Sequence, residues 1–205
     1  MRKENLEQEE FWNGEFGNQY IDRNQDMKSN IALFTKILSR TENVSSVLEL
    51  GSNTGLNLQA IQLLNPQITL SAIEINEKAV NILRSRGNIQ VYHQSILDFI
   101  PDQRSDFVLT KGVLIHIDPV ALPKVYDILY QSSSRYICIA EYYHPTPVAL
   151  EYRGHHNKLF KRDFAGELLD RFPDLRLIDY GFVYYRDTNF PLKDISWFLL
   201  EKIPQ

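Results

Sequence analysis

The stretch "SVLELGSNTGLNLQAI", residues Ser46 to Ile61, decides how the chain is read. An apolar run climbs to Glu49, breaks at Gly51, crosses polar residues and meets a second glycine at Gly55. Leu56, Ala60, Leu63 and Leu64 then recur at helical spacing. The pattern predicts a strand ending in a tight turn that opens directly into a helix over Leu56–Leu64. Glycine lets such a turn take positive φ and approach a ligand closely, and the helix N-terminus offers free N–H groups. The next strand ends "AIEIN", which puts Glu74 at its tip. A carboxylate there suits both hydroxyls of a ribose.

Three ligand readings of the turn compete. A phosphate-binding loop ends in Gly-Lys-Ser/Thr, and "GSNTGLN" has no lysine. A dinucleotide fingerprint, G-x-G-x-x-G, fails twice, at Asn53 and at Leu56. The spacing G-x-G-x-G puts Gly51, Asn53 and Gly55 in register. Asparagine is the non-glycine residue that best tolerates positive φ, so Asn53 departs little from it. A plain strand-to-helix turn remains the bland alternative, and it requires neither Glu49 nor Glu74.

Outward from this turn, strand-like and helix-like segments alternate. Strands are expected at "SVLEL", "TLSAIEI", "IQVYHQS", "DFVLTKGVLI", "RYICIAEYY", "LRLIDYGFVYYR" and "SWFLLEK". Helices are expected at Leu56–Leu64, Glu77–Arg86, Pro119–Gln131 and Arg162–Phe172. Asn76 is a natural N-cap for the second of these, and Gly87 a natural stop. Alternation of this kind implies crossover units and a mostly parallel sheet with helices on both faces. The last two strands, separated only by "DTNFPLKD", read as an antiparallel pair at one end. The first fifteen residues are charged and predict a mobile lead. Residues 145–161 are too polar, aromatic and proline-bearing for a regular element. They predict a long loop of the kind that serves as a substrate lid.

With 205 residues, the chain has room for one well-buried core. No apolar run approaches the length of a membrane span, and "MRKENLEQEEFW" lacks the apolar stretch of a secretory signal. The single cysteine, Cys138, lies in the apolar run "YICIA" and reads as core. These features predict a cytoplasmic protein. A net charge of −4 argues against a general nucleic-acid binder. Basic and histidine side chains crowd together only between Tyr152 and Phe164.

"VLELGSNTGLNL" followed by "AIEIN" resembles the first two motifs of class I S-adenosylmethionine-dependent methyltransferases. The likeness continues at "QVYHQSILDF", where Ser95 and Ile96 fall at the positions that flank the adenine. At Ser95 the broader class more often has aspartate. "SDFVLTKGVLIHIDP" is similar to the fourth strand and its following loop, and the reversed final strand pair completes the likeness. "FWNGEFGNQYIDRN", the asparagine in "ELGSNTGLNL", and "EYYHPTP…EYRGHHNKLFKRDFAGELLD" resemble, more narrowly, the methylases associated with pseudaminic acid biosynthesis. The resemblance implies a Rossmann-like α/β fold with a mostly parallel seven-stranded sheet and an antiparallel final strand. Residues 1–30 would form a lead-in that covers the cofactor, and 31–205 a single methyltransferase domain with its lid at about 145–161. S-adenosyl-L-methionine is then the expected cofactor, held by Glu49, Gly51, Ser52, Asn53, Gly55, Glu74, Ile75, Ser95, Ile96, Thr110, Lys111 and Gly112. Tyr20 and Arg23 are expected to grip its methionine carboxylate, for which arginine and a phenol are natural partners.

Methyl transfer is an in-line displacement in which the protein supplies alignment and electrostatics. Alignment alone can lower such a barrier by roughly 7–11 kcal/mol. An alcohol acceptor also needs a base, and His116 in "GVLIHIDP" leads that list; a histidine there can equally be scaffold. Glu141, Tyr143 and His144, after the fifth strand, are the alternatives. A carboxylate acceptor needs no base, and an amine need only be neutral. The lid concentrates Tyr142, Tyr143, His144, Tyr152, Arg153, His155, His156, Lys158 and Lys161, a mixture suited to an anionic, sugar-like or nucleotide-linked substrate. An acidic nonulosonate sugar of the pseudaminic type fits both the chemistry and the resemblance. No recognised zinc spacing is present, and no metal is expected. The expected partner is a small molecule, with neither nucleic acid nor membrane, and the chain a monomer or homodimer. The rival readings are methylation of another small metabolite and a non-catalytic S-adenosylmethionine-binding protein. A nicotinamide-dependent oxidoreductase is disfavoured by the missing glycines.

Overall fold

A computed structural model describes residues 2–21 and 27–203. Three helices lead in: α1 (Arg2–Asn13), α2 (Glu15–Ile21) and α3 (Met27–Leu38). The first half of the sheet follows as β1 (Ser46–Leu50), α4 (Leu56–Leu64), β2 (Thr69–Glu74), α5 (Glu77–Ser85) and β3 (Ile89–His93). The chain then returns through β4 (Ser105–Lys111), α6 (Leu122–Ser132) and β5 (Ser133–Glu141). A hairpin of β6 (Val148–Tyr152) and β7 (His155–Lys161) precedes α7 (Phe164–Arg171), β8 (Leu175–Val183) and β9 (Ile195–Lys202).

The seven-stranded sheet runs β3-β2-β1-β4-β5-β9-β8. Strands β1 to β5 are mutually parallel, and β9 lies antiparallel to both β5 and β8. The sheet is therefore parallel except for its final strand. Side chains alternate between its two faces, as the period-2 geometry of a strand requires. Val47, Phe107, Leu109 and Cys138 point to one face, under Leu33 and Phe34 of α3, Leu58 and Ile61 of α4, and Leu83 of α5. Leu48, Leu50, Val108 and Ile137 point to the other, under Val125 and Leu129 of α6 and Leu168 of α7. Burial on both faces explains why β1 reads as an apolar run interrupted only by the buried Glu49. It also pushes the Cys138 thiol well up, so this cysteine is core, not nucleophile.

Three local expectations are corrected. The charged N-terminal lead is helix over Arg2–Asn13, with Trp12 packed edge-on to Phe11 and Phe16. The segment 145–161 is a β-hairpin in its larger part. Tyr152 pairs with His155 across Arg153 (φ 50) and Gly154 (φ 84), and two successive positive φ values make the tight turn that matches strand twist. Finally, "DFVLTKGVLI" is not strand throughout. It stops at Lys111, turns at Gly112 and continues as a short 3-10 turn, Leu114–His116. The Glu141 carboxylate ends the strand by collecting the amide N–H groups of Val113 (2.9 Å) and Leu114 (3.0 Å). No helix among the described residues is long and apolar enough to cross a membrane.

Candidate active site

From β1 the chain runs outward to β2 and β3, then returns on the other side to β4. Ligands in open parallel sheets bind beyond the strand ends at such a reversal. The turn after β1 occupies that place. Gly51 (φ 70) and Ser52 donate their amides to the Ile73 carbonyl, at 2.9 and 3.1 Å. A Cβ at Gly51 would meet the Val113 side chain at 2.7 Å, so the turns after β1 and β4 pack together only because this residue is glycine. Asn53 (φ 48) takes the middle position of the expected G-x-G-x-G register, and Gly55 (φ 76) caps α4.

Glu74 locks this turn in place. One carboxylate oxygen accepts the Asn53 amide at 2.7 Å and the other the Asn76 amide at 2.8 Å. Burial pushes the Glu74 pKa up, and the surrounding N–H donors and His93 oppose it. Lone pairs remain on both oxygens for a ligand's hydroxyls.

A cavity of about 690 Å³ opens from the turn. Of the expected cofactor residues, Tyr20, Gly51, Ser52, Asn53, Glu74, Ile75, Ser95, Ile96, Lys111 and Gly112 line it. His116, Tyr142, Tyr152 and Arg153 line it as well. Gly55 and Thr110 sit behind the wall, and Arg23 lies outside the described residues. Glu49 is also behind the wall, 1% exposed, with Asn57 donating to it at 2.6 Å. Asn57 itself lines the cavity, and its Oδ1 is buried without a hydrogen-bond partner among the described residues.

Burial raises the Glu49 pKa from 4.5 to about 8, with Asn57 and Lys111 opposing. The folded state thus keeps a proton that the unfolded chain releases, and the stability this group contributes falls as pH rises from 4.5 to 8. Glu49→Gln should abolish that dependence. Chemical denaturation at pH 5 and pH 8 should show the variant gaining on the wild type at the higher pH; a parallel response of both proteins would contradict it.

The catalytic alternatives at the end of β5 and just beyond it do not reach the cavity. Glu141 is buried and committed to the Val113 and Leu114 amides, with its pKa pushed up by burial to about 7. The Tyr143 ring is exposed and lies 5.9 Å from that of Phe198, and the His144 Nδ1 contacts Thr146 in its own turn. His155 packs on Phe11 and Phe16, and His156 is exposed. Lys158 acts through its backbone: its carbonyl meets His116 Nδ1 at 2.6 Å. No group of three or more His, Cys, Asp or Glu side chains among the described residues could hold a metal.

Of the catalytic candidates, His116 is the one that lines the cavity. Its ring lies 4.6 Å from Trp12 and 4.8 Å from Tyr152, centroid to centroid. Burial lowers its pKa from 6.5 to about 4, so it is neutral near pH 7. A carbonyl can only accept, which assigns the proton to Nδ1 and the lone pair to Nε2.

The N-terminal helices close the cavity through side chains that the sequence reading did not single out. Gln8, Glu9, Trp12 and Gly17 line it. Asn76 Nδ2 donates to the Trp12 carbonyl and to Asn18 Oδ1, both at 3.0 Å, and Gln8 Nε2 donates to the Asn157 carbonyl of the hairpin at 3.0 Å. A Cβ on Gly17 would lie 1.8 Å from the Trp12 carbonyl oxygen, so α1 and α2 fold together at a glycine.

Strand order, the lone antiparallel β9 and a crevice at the reversal of the sheet define the class I methyltransferase fold. Solved structures agree. The glycopeptide N-methyltransferase MtfA is 15% identical, with 87% of this chain and 97% of that one covered and a TM-score of 0.65. The plantazolicin methyltransferase BpumL, solved with a pentazolic desmethylPZN analog and SAH, is 13% identical, with 100% of both chains covered and a TM-score of 0.66. The 1,6-didemethyltoxoflavin-N1-methyltransferase of Burkholderia thailandensis, solved with 1,6-didemethyltoxoflavin and S-adenosylhomocysteine, is 12% identical. There 96% of this chain and 87% of that one are covered, with a TM-score of 0.70. No protein-family model matches the sequence, and no curated protein matches it either.

Proposed function

We propose that this chain is an S-adenosylmethionine-dependent methyltransferase acting on a small, polar, anionic acceptor. An acidic sugar of the nonulosonate type, or its nucleotide-linked form, is the substrate class that the sequence resemblance favours. One observation carries the cofactor reading: Glu74 ends β2 on the cavity wall while its carboxylate holds the Asn53 amide of the glycine turn. The group it suits is a ribose diol, because lone pairs remain on both Glu74 oxygens.

S-adenosylmethionine supplies an electrophilic methyl group on a sulfonium. In this reading, Glu74 accepts from the ribose, Ile75 and Ile96 flank the base, and Tyr20, with Arg23, binds the methionine carboxylate. Trp12 and the β6–β7 hairpin exclude water from the reaction. His116 Nε2 takes the proton of an acceptor hydroxyl, while Nδ1 stays tied to the Lys158 carbonyl. Arg153 and Lys193 on the wall, beside Tyr142 and Tyr152, give the acceptor end cationic and aromatic groups.

Incubation with S-adenosylmethionine and acidic sugars should yield products heavier by one methyl group in mass spectrometry. Transfer confined to neutral or cationic acceptors would remove the acceptor class. Calorimetry showing no affinity for S-adenosylmethionine, or NADH binding in its place, would remove the methyltransferase reading itself.

A further inference from the structure

We propose that Glu9, on helix α1, reads the exocyclic amino group of the cofactor's purine, so that the N-terminal helix is part of the base-recognition site. The inference rests on the methyltransferase reading and extends it to a residue outside the motifs.

With a ribose on Glu74, the attached base must lie across the end of β3, the neighbouring strand, whose His93 pairs with Glu74 in the sheet register. Ile75, Ile96 and Leu97 line the cavity there and offer flat apolar contact. A purine also has a polar edge, and desolvating its amino group without an acceptor would be costly. Ser95 stands at that edge with its hydroxyl committed. Its oxygen accepts the Leu97 amide at 3.1 Å, and its hydrogen is donated to Glu9 Oε1. The chain Leu97 to Ser95 to Glu9 therefore ends in a carboxylate, an acceptor-only group with lone pairs to spare.

Among the described residues, the carboxylates lining the cavity are Glu9, Glu74 and Asp118. Glu74 is used by the glycine turn and the ribose. Asp118 follows His116 and accepts the Val120 amide at 2.8 Å. Glu9 is thus the acceptor at the β3 end. The bonds that fix α1 flank it in sequence, from Gln8 to the hairpin and from Asn76 to the Trp12 carbonyl. A 6-amino purine would donate to Glu9. A 6-oxo purine would turn a carbonyl oxygen toward the carboxylate and be repelled.

The test compares calorimetric affinities of the full chain for S-adenosylhomocysteine and its 6-oxo counterpart, S-inosylhomocysteine. The wild type should prefer the adenosyl ligand by about tenfold or more, the scale of a hydrogen bond to a charged group. Glu9→Ala should bring the two affinities together, chiefly by losing adenosyl affinity. The double variant Glu9→Ala with Ser95→Asp should recover the preference, because the carboxylate then comes from the other side of the same hydrogen bond. Equal weakening of both ligands in Glu9→Ala would overturn the inference, since it would mean that Glu9 only packs α1. An unchanged preference in that variant would overturn it as well. A wild type that binds neither ligand would instead overturn the methyltransferase reading and this inference with it.

Discussion

Glu74→Ala is expected to raise the dissociation constant for S-adenosylhomocysteine on the order of 100-fold while leaving the protein folded. In the proposed reading, the substitution removes the acceptor of two ligand hydroxyls. A hydrogen bond to a charged group is worth about 1.5–3 kcal/mol, so losing one or two gives a factor of this size. It also frees the Asn53 and Asn76 amides, which the carboxylate now holds at 2.7 and 2.8 Å. The glycine turn would then relax, adding to the loss. Neither hydrophobic core contains Glu74, and removing a buried carboxylate also relieves its desolvation, so thermal stability should change little. Glu74→Gln separates the two roles. Its amide keeps the shape but turns an N–H group toward one of the two backbone donors. It should therefore bind more weakly than wild type despite near-identical volume. Calorimetry and a thermal melt read both variants, and unchanged affinity in Glu74→Ala would put the cofactor elsewhere.

The elements that build this clasp were legible because each carries a strong local signal. β1 is buried on both faces, so its apolar run has no polar alternation to confuse it, and α4 begins where the second glycine ends the turn. Glu74 follows from its place at the end of the next strand. The β6–β7 hairpin was missed because its signal is the dipeptide Arg153–Gly154. Arginine seldom takes positive φ, so only the glycine announces the turn. Helix α1 was missed because charge dominates it. Its docking rests on Gln8, Phe11 and Trp12, at spacings of three and four residues, a short stripe in a polar helix. The candidates after β5 fail for a different reason. At a strand end, neighbours differ in direction: Glu141 turns inward to the Val113 and Leu114 amides while Tyr142 reaches the cavity. Sequence puts both at the right edge of the sheet and does not say which one faces the ligand.

His116→Asn is expected to slow methyl transfer by about 10²- to 10⁴-fold, the range of a lost general base, with affinity for S-adenosylhomocysteine close to wild type. Asparagine retains an N–H group where Nδ1 now meets the Lys158 carbonyl at 2.6 Å, so the β7 contact survives. What is lost is Nε2. The pH profile separates this role from scaffolding. Because burial lowers the His116 pKa from 6.5 to about 4, its neutral form dominates throughout the physiological range, and the acidic limb it imposes on turnover should fall near pH 4. The same shift acts on stability with a definite sign. The unfolded chain binds this proton more readily than the folded one, so stability falls as pH drops from 6.5 toward 4, by about 3 kcal/mol at most. His116→Asn should melt with a shallower acid dependence than wild type in that window. Should turnover survive the substitution at the wild-type rate, Nε2 moves no proton and the acceptor is one that needs no base. A carboxylate oxygen meets that condition, and methylation of an acidic sugar would then be esterification and not ether formation.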